Sequence, residues 1–95
     1  MKDLSGAFAD FTEAITRNPN NDWVYIGRGL VKHNLEDFTG AIDDYTKAIT
    51  INPNNANAYS YRAVAKSKVK DLGGAFADFT DAIMRAPNKI GRAHV

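Results

Sequence analysis

The period of this chain limits its fold more than any other feature. The stretch GAFADFTEAITRNPN (6–20) returns as GAIDDYTKAITINPN (40–54) and again as GAFADFTDAIMRAPN (74–88). Gly6, Ala7, Phe11, Ala14, Ile15 and Pro19 recur as Gly40, Ala41, Tyr45, Ala48, Ile49 and Pro53, and then as Gly74, Ala75, Phe79, Ala82, Ile83 and Pro87, each step being 34 residues. Such a chain builds one unit several times and buries the apolar face of each copy against the next. Within a copy the apolar positions fall at i, i+1, i+4, i+7 and i+8, which is helical spacing and not strand alternation.

Asp3, Asp37 and Asp71 stand where an N-cap would start these helices. The Asn-Pro or Ala-Pro pair ends them, because the residue before proline is pushed out of helical geometry. Between the copies run DWVYIGRGLVKHNL (22–35) and ANAYSYRAVAKSKV (56–69), aligned at the same offset: Tyr25 with Tyr59, Arg28 with Arg62, Gly29 with Ala63, Lys32 with Lys66. These segments are the partner helices, capped by the asparagines at 20, 21, 54 and 55. With the partner helix of each unit called A and the repeated stretch B, the prediction is all-α: five antiparallel helices in the order B-A-B-A-B, joined by short connections.

Ninety-five residues amount to one small domain, with 12 basic and 11 acidic residues well mixed and a formal charge of +1. That balance gives no long-range field toward nucleic acid or an anionic membrane. The absence of cysteine excludes disulfides, thiolate nucleophiles and thiolate metal sites. No window approaches the roughly 18 apolar residues of a membrane helix.

A 34-residue helical hairpin with a small residue in helix A, then Ala, an aromatic, Ala and Pro through helix B, resembles the tetratricopeptide repeat over residues 1 to about 88. The resemblance implies a right-handed solenoid of about two and a half repeats: a half repeat over 1–21, full repeats over 22–55 and 56–88, and a tail over 89–95. That tail, KIGRAHV, breaks the pattern and reads like a translated sequencing adapter, so it is set outside the fold. Gly29, Ala63, Ala41, Ala48, Ala75 and Ala82 match the small positions where helices approach closely. Tyr45 and Phe79 match the ring that fills the remaining space, and Pro53 and Pro87 match the closing proline.

Two departures matter. Arg28 and Arg62 stand where the family carries a large aliphatic residue, so they need acceptors: Asp44 or Asp10 for Arg28, Asp78 or Asp44 for Arg62. Glu36 and Lys70 replace the glycine of the A-to-B turn, which must then change conformation or accept about 1 kcal/mol of strain.

The residues give an enzyme reading little to work with. His33 and His94 are the only histidines, and neither joins a triad or metal cluster; His33 reads as a partly exposed helix residue. GRG at 27–29 lacks the lysine and serine of a phosphate loop, and KSKVK at 66–70 reads mainly as a solvated edge. No catalytic residue, metal or cofactor is expected.

By resemblance, the A helices line the concave side where the family holds peptides. The matching residues are Trp23, Ile26, Gly27, Leu30 and Asn34 on the first, and Asn57, Ser60, Tyr61, Val64 and Lys68 on the second. Ile26, Gly27, Leu30, Asn57 and Tyr61 replace the Lys, Asn and Arg of members that grip a terminal carboxylate, so that mode is rejected. An apolar strip remains, suited to a peptide with an aliphatic or aromatic anchor and a nearby acid. The expected function is a non-catalytic protein-binding scaffold without nucleic-acid or membrane partners; the alternative is a docking segment of a larger enzyme or of a transport or assembly factor. The last B helix places Phe76, Phe79 and Ile83 at i, i+3 and i+7 with nothing after them to cover them, from which self-association is expected.

Overall fold

The computed structural model describes residues 3–86, and among them every regular element is an α-helix. They are α1 (Leu4–Arg17), α2 (Asp22–Asn34), α3 (Phe38–Ile51), α4 (Ala56–Lys68) and α5 (Leu72–Arg85). Each packs against its neighbours in sequence, while α2 and α4 meet only marginally. In the repeat scheme α2 and α4 are A helices, and α1, α3 and α5 are B helices. Pro87 and the 89–95 tail lie outside the described residues.

The ends of the helices follow from the repeated polar residues. Asp3, Asp37 and Asp71 each accept a hydrogen bond from the backbone N–H of Gly6, Gly40 and Gly74 at 3.0 Å, capping α1, α3 and α5. Asn21 caps α2 by accepting from the Trp23 N–H at 3.0 Å, and Asn55 caps α4 by accepting from that of Ala58 at 3.3 Å. Asn18 and Asn52, just before the prolines, accept from the N–H of Asn20 and Asn54 and so fold the Asn-Pro-Asn corner locally. Asn20 and Asn54 therefore supply backbone donors to the corners and cap no helix.

Of the two outcomes open to the A-to-B turns, the structure takes the strained one. Glu36 and Lys70 have φ of 64° and 70°, the left-handed region that disfavours a β-carbon. Around Glu36 the Asp37 N–H reaches the Lys32 carbonyl at 2.8 Å and the Glu36 N–H reaches that of His33 at 2.9 Å. Asp71 and Lys70 repeat the arrangement with Lys66 and Ser67 at 2.9 and 3.1 Å. This is the Schellman pattern that satisfies the orphan carbonyls of a helix end.

The core is built of small residues packed around tyrosine rings, Tyr45 the deepest. Ala41, Ala48, Ala58, Ala63 and Ala65 have no exposed surface, and Tyr45 is only 1% exposed among them. A β-carbon added at Gly29 would lie 2.5 Å from Cε1 of Tyr45, so the glycine is what admits the ring to this depth. One expectation needs correction here. Ile26, assigned to the groove, is 2% exposed and belongs to the core beside Tyr25 and Tyr45. Phe79, matched to the ring position of Tyr45 but also placed on the uncovered stripe of the last B helix, is 43% exposed, because no described helix covers α5 as α4 covers α3.

Arg28 donates from Nε and Nη2 to both oxygens of Asp44 at 2.9 Å and from Nη1 to the Thr12 hydroxyl at 3.4 Å. Arg62 repeats this on Asp78 at 2.8 Å and Thr46 at 3.1 Å. The acceptors are Asp44 and Asp78, while Asp10 stays exposed. The structure adds a second cation to each carboxylate: Lys32 to Asp44 and Lys66 to Asp78, both at 3.1 Å. Lys66, read from sequence as a solvated edge, is thus an ion-pair residue.

Candidate peptide-binding face

Residues 23, 26, 27, 30, 33 and 34 follow one another at helical spacing along one side of α2, and 57, 60, 61, 64, 67 and 68 do so along α4. Trp23 is 54% exposed at the start of this side. Leu30 is half-buried, Asn34 exposed, and Gly27 lies under the ring of Phe11, which a β-carbon at 27 would strike. On α4, Ser60 and Tyr61 are half-buried, while Asn57, Val64 and Lys68 are exposed.

Two cavities open along these residues, one on each side of Leu30. The first, about 440 Å³, lies between α1 and α2 and is lined by Leu4, Ala7, Phe11, Gly27, Leu30 and Asn34, with Asp3 and Val31 at its edge. The second, about 260 Å³, is framed by three helices: Leu30 and His33 from α2, Tyr45 from α3, Tyr61 and Val64 from α4. Trp23, Ile26, Asn57, Ser60 and Lys68 line neither cavity. Tyr61 stacks on Tyr45 with ring centroids 5.8 Å apart and an interplanar angle of 28°, whereas its equivalent one unit earlier is Gly27 against Phe11.

The α1 side of the first cavity, Asp3, Leu4, Ala7 and Phe11, together with Val31, lies outside the expected groove set, and so do two residues of the second. Tyr45 was assigned wholly to packing, but an edge of its ring forms part of the second cavity. His33 was set aside as a bland helix residue; its spacing of three from Leu30 was the signal that both share a face. Its ring meets Phe38 edge-on at 4.9 Å, and its Nδ1 is buried with no hydrogen-bond partner.

The electrostatics of this face are spare. Burial, with Tyr61 and Asp44 adding to it, pushes the Tyr45 phenol above its ordinary value, so the ring stays neutral. Lys32 and Lys66 are tied to Asp44 and Asp78, whereas Lys68, one turn beyond Val64, has no carboxylate within 4.0 Å among the described residues. Among the described residues there is no group of three or more His, Cys, Asp or Glu side chains that could hold a metal ion, and no helix long and apolar enough to cross a membrane.

Paired helices repeated in register, with a continuous face built from the first helix of each pair, define the class of helical-repeat interaction modules. Tetratricopeptide repeat models match residues 23–55 and 44–77. The fold is matched by the TPR2B domain of yeast Sti1 in its pHsp70 complex, with a TM-score of 0.87 and 29% identity over 94% of this chain and 70% of that one. The Arabidopsis OM64 TPR domain matches with a TM-score of 0.85 and 33% identity over 88% and 69%. The first TPR of Spaghetti (RPAP3), bound to the HSP90 peptide SRMEEVD, matches with a TM-score of 0.86 and 25% identity over 90% and 68%. No curated protein matches the sequence significantly. The chain belongs to the tetratricopeptide repeat family, and its fold is that family's all-α solenoid.

Proposed function

We propose that this chain is a non-catalytic scaffold that holds an extended segment of a partner protein along the α2 and α4 face. The observation that carries the reading is the pair of adjacent apolar cavities sharing Leu30 as their wall. Apolar sockets give an interface its anchor points, and polar neighbours set direction and register. Similar domains in complex with pHsp70 and with an HSP90 peptide support a peptide as the ligand.

The chemistry of the segment differs from that of a carboxylate-gripping site. Ile26, Gly27, Leu30, Asn57 and Tyr61 offer no cationic cradle, and two of the nearby lysines are already held in ion pairs by aspartates. An internal stretch with an aliphatic or aromatic anchor and an acid placed for Lys68 fits this face. The test is a peptide array of internal and C-terminal sequences probed with the wild-type protein and with Leu30→Glu. Internal peptides with apolar anchors should bind, and the variant should lose at least about tenfold in affinity while keeping its helical circular dichroism. Undiminished binding by Leu30→Glu would place the ligand elsewhere.

A further inference from the structure

We infer that the open side of α1 docks a helix of a partner protein, one that carries an arginine, a small residue directly after it and a lysine four positions after the arginine. The inference goes beyond the scaffold reading, which it leaves in place. The three B helices share one pattern but differ in what covers it. Ala41, Asp44, Tyr45 and Ala48 of α3 are buried with α2 packed before that helix, and Ala75, Asp78 and Ala82 of α5 are buried with α4 before it. On α1 the matching Ala7, Phe11 and Ala14 are half-buried and Asp10 is exposed, because no described helix precedes α1.

The two cavities record the same difference. Phe11, Gly27 and Leu30 of the first stand one unit before Tyr45, Tyr61 and Val64 of the second. The second has a further wall, Leu30 and His33 from α2, to which the first has no counterpart among the described residues. A helix seated before α1 as α2 is seated before α3 would supply that wall. Its chemistry follows from the aspartates. Asp44 holds Arg28 and Lys32, and Asp78 holds Arg62 and Lys66, at 2.8 to 3.1 Å. Asp10 has the same place on α1 and no cation within 4.0 Å among the described residues. A carboxylate among Ala7, Phe11 and Ala14 calls for cations on an otherwise apolar helix face. The residue after each arginine is Gly29 or Ala63: a β-carbon at 29 would strike Tyr45, and Ala63 has no exposed surface, so the docked helix needs a small residue at this point as well. Helices α2 and α4 have this pattern but are each packed between two neighbours, so a second folded copy cannot offer them and the occupant is another protein. Because α2 and α4 meet only marginally, a helix in the corresponding place would lie beside α2 and not over the peptide face.

The test is an NMR titration of the full chain with an acetylated and amidated peptide of the α4 sequence, residues 56–69, which carries Arg62, Ala63 and Lys66 at the required spacing. Amide shifts are expected at Ala7, Asp10, Phe11 and Ala14. Asp10→Asn in the protein, or Arg62→Gln in the peptide, should each lower affinity at least about fivefold, as loss of a charge-assisted hydrogen bond allows. The two changes together should cost little more than either alone, since they remove the same contact. Ala63→Phe in the peptide should abolish binding. Asp10 is exposed, so Asp10→Asn should keep its helical circular dichroism. Shifts confined to α5 or to the α2 and α4 face, equal affinity for the wild type and Asp10→Asn, undiminished binding of the Ala63→Phe peptide, or no shift at millimolar peptide each overturn the inference. The scaffold reading is tested separately, by internal peptides and Leu30→Glu.

Discussion

At the scale of single residues, the two arginine clusters decide more than their surface position suggests. Asp44 and Asp78 are buried and each carries two cations, so removing either carboxylate strands positive charge in a part-buried site. Asp78→Ala should destabilise the fold by about 2–3 kcal/mol, below the value for a fully buried pair because Arg62 and Lys66 keep some contact with water. Asp10→Ala, at the equivalent but exposed position, should stay within about 0.5 kcal/mol. Urea unfolding measures both. Burial alone would raise the pKa of Asp78, but hydrogen bonds and charge from Arg62 and Lys66 outweigh it and hold the carboxyl below its ordinary value. A folded-state value below the unfolded one contributes stability above about pH 3.9 that is lost as pH falls through the folded-state value. Asp78→Asn should therefore flatten the acid limb of a stability-against-pH curve below about pH 4. An unchanged limb would mean that other carboxylates govern acid unfolding.

At the scale of elements, the turns and the close helix contacts make opposite predictions about glycine. Glu36 and Lys70 sit in the left-handed region, so Glu36→Gly and Lys70→Gly should each stabilise by about 0.5–1 kcal/mol in chemical denaturation, even though glycine loosens the unfolded chain. Gly29→Ala should do the reverse. The added methyl meets the buried Tyr45 ring, and the cost of about 1–3 kcal/mol exceeds the roughly 1 kcal/mol gained in helix propensity. The helices, their aspartate caps and the alanine contacts were legible because each recurs at a fixed offset, and a residue seen in several equivalent places declares its role. The candidate site was legible only by halves. Leu30, Tyr61 and Val64 come from the pattern, but Ile26 turns into the core between the same neighbours, because the offset fixes a position along the stack and not its depth. His33 has no chemical counterpart at Ser67, and so no repetition drew attention to it.

At the scale of the whole molecule, α5 presents an apolar stripe that α3 hides. Phe76 is 75% exposed, with Leu72, Phe79, Ile83 and Met84 along the same helix, whereas the matching Ile42, Tyr45 and Ile49 of α3 pack into the core. Residues 3–86 should associate as concentration rises, and Phe76→Lys with Met84→Lys should return the species to a monomer in light scattering. A wild-type monomer at millimolar concentration would show that the stripe is tolerated in water.

The arginines also bear on how the stack would yield to force. Arg28 reaches back to Thr12 on α1 and forward to Asp44 on α3, and Arg62 does the same between Thr46 and Asp78. Each guanidinium is therefore a rivet through three successive helices, set at the same level in both junctions. Pulled along its length, such a column has no seam between successive helices that one of the two rivets does not cross. Its stiffness belongs to the joints rather than to the helices they fasten.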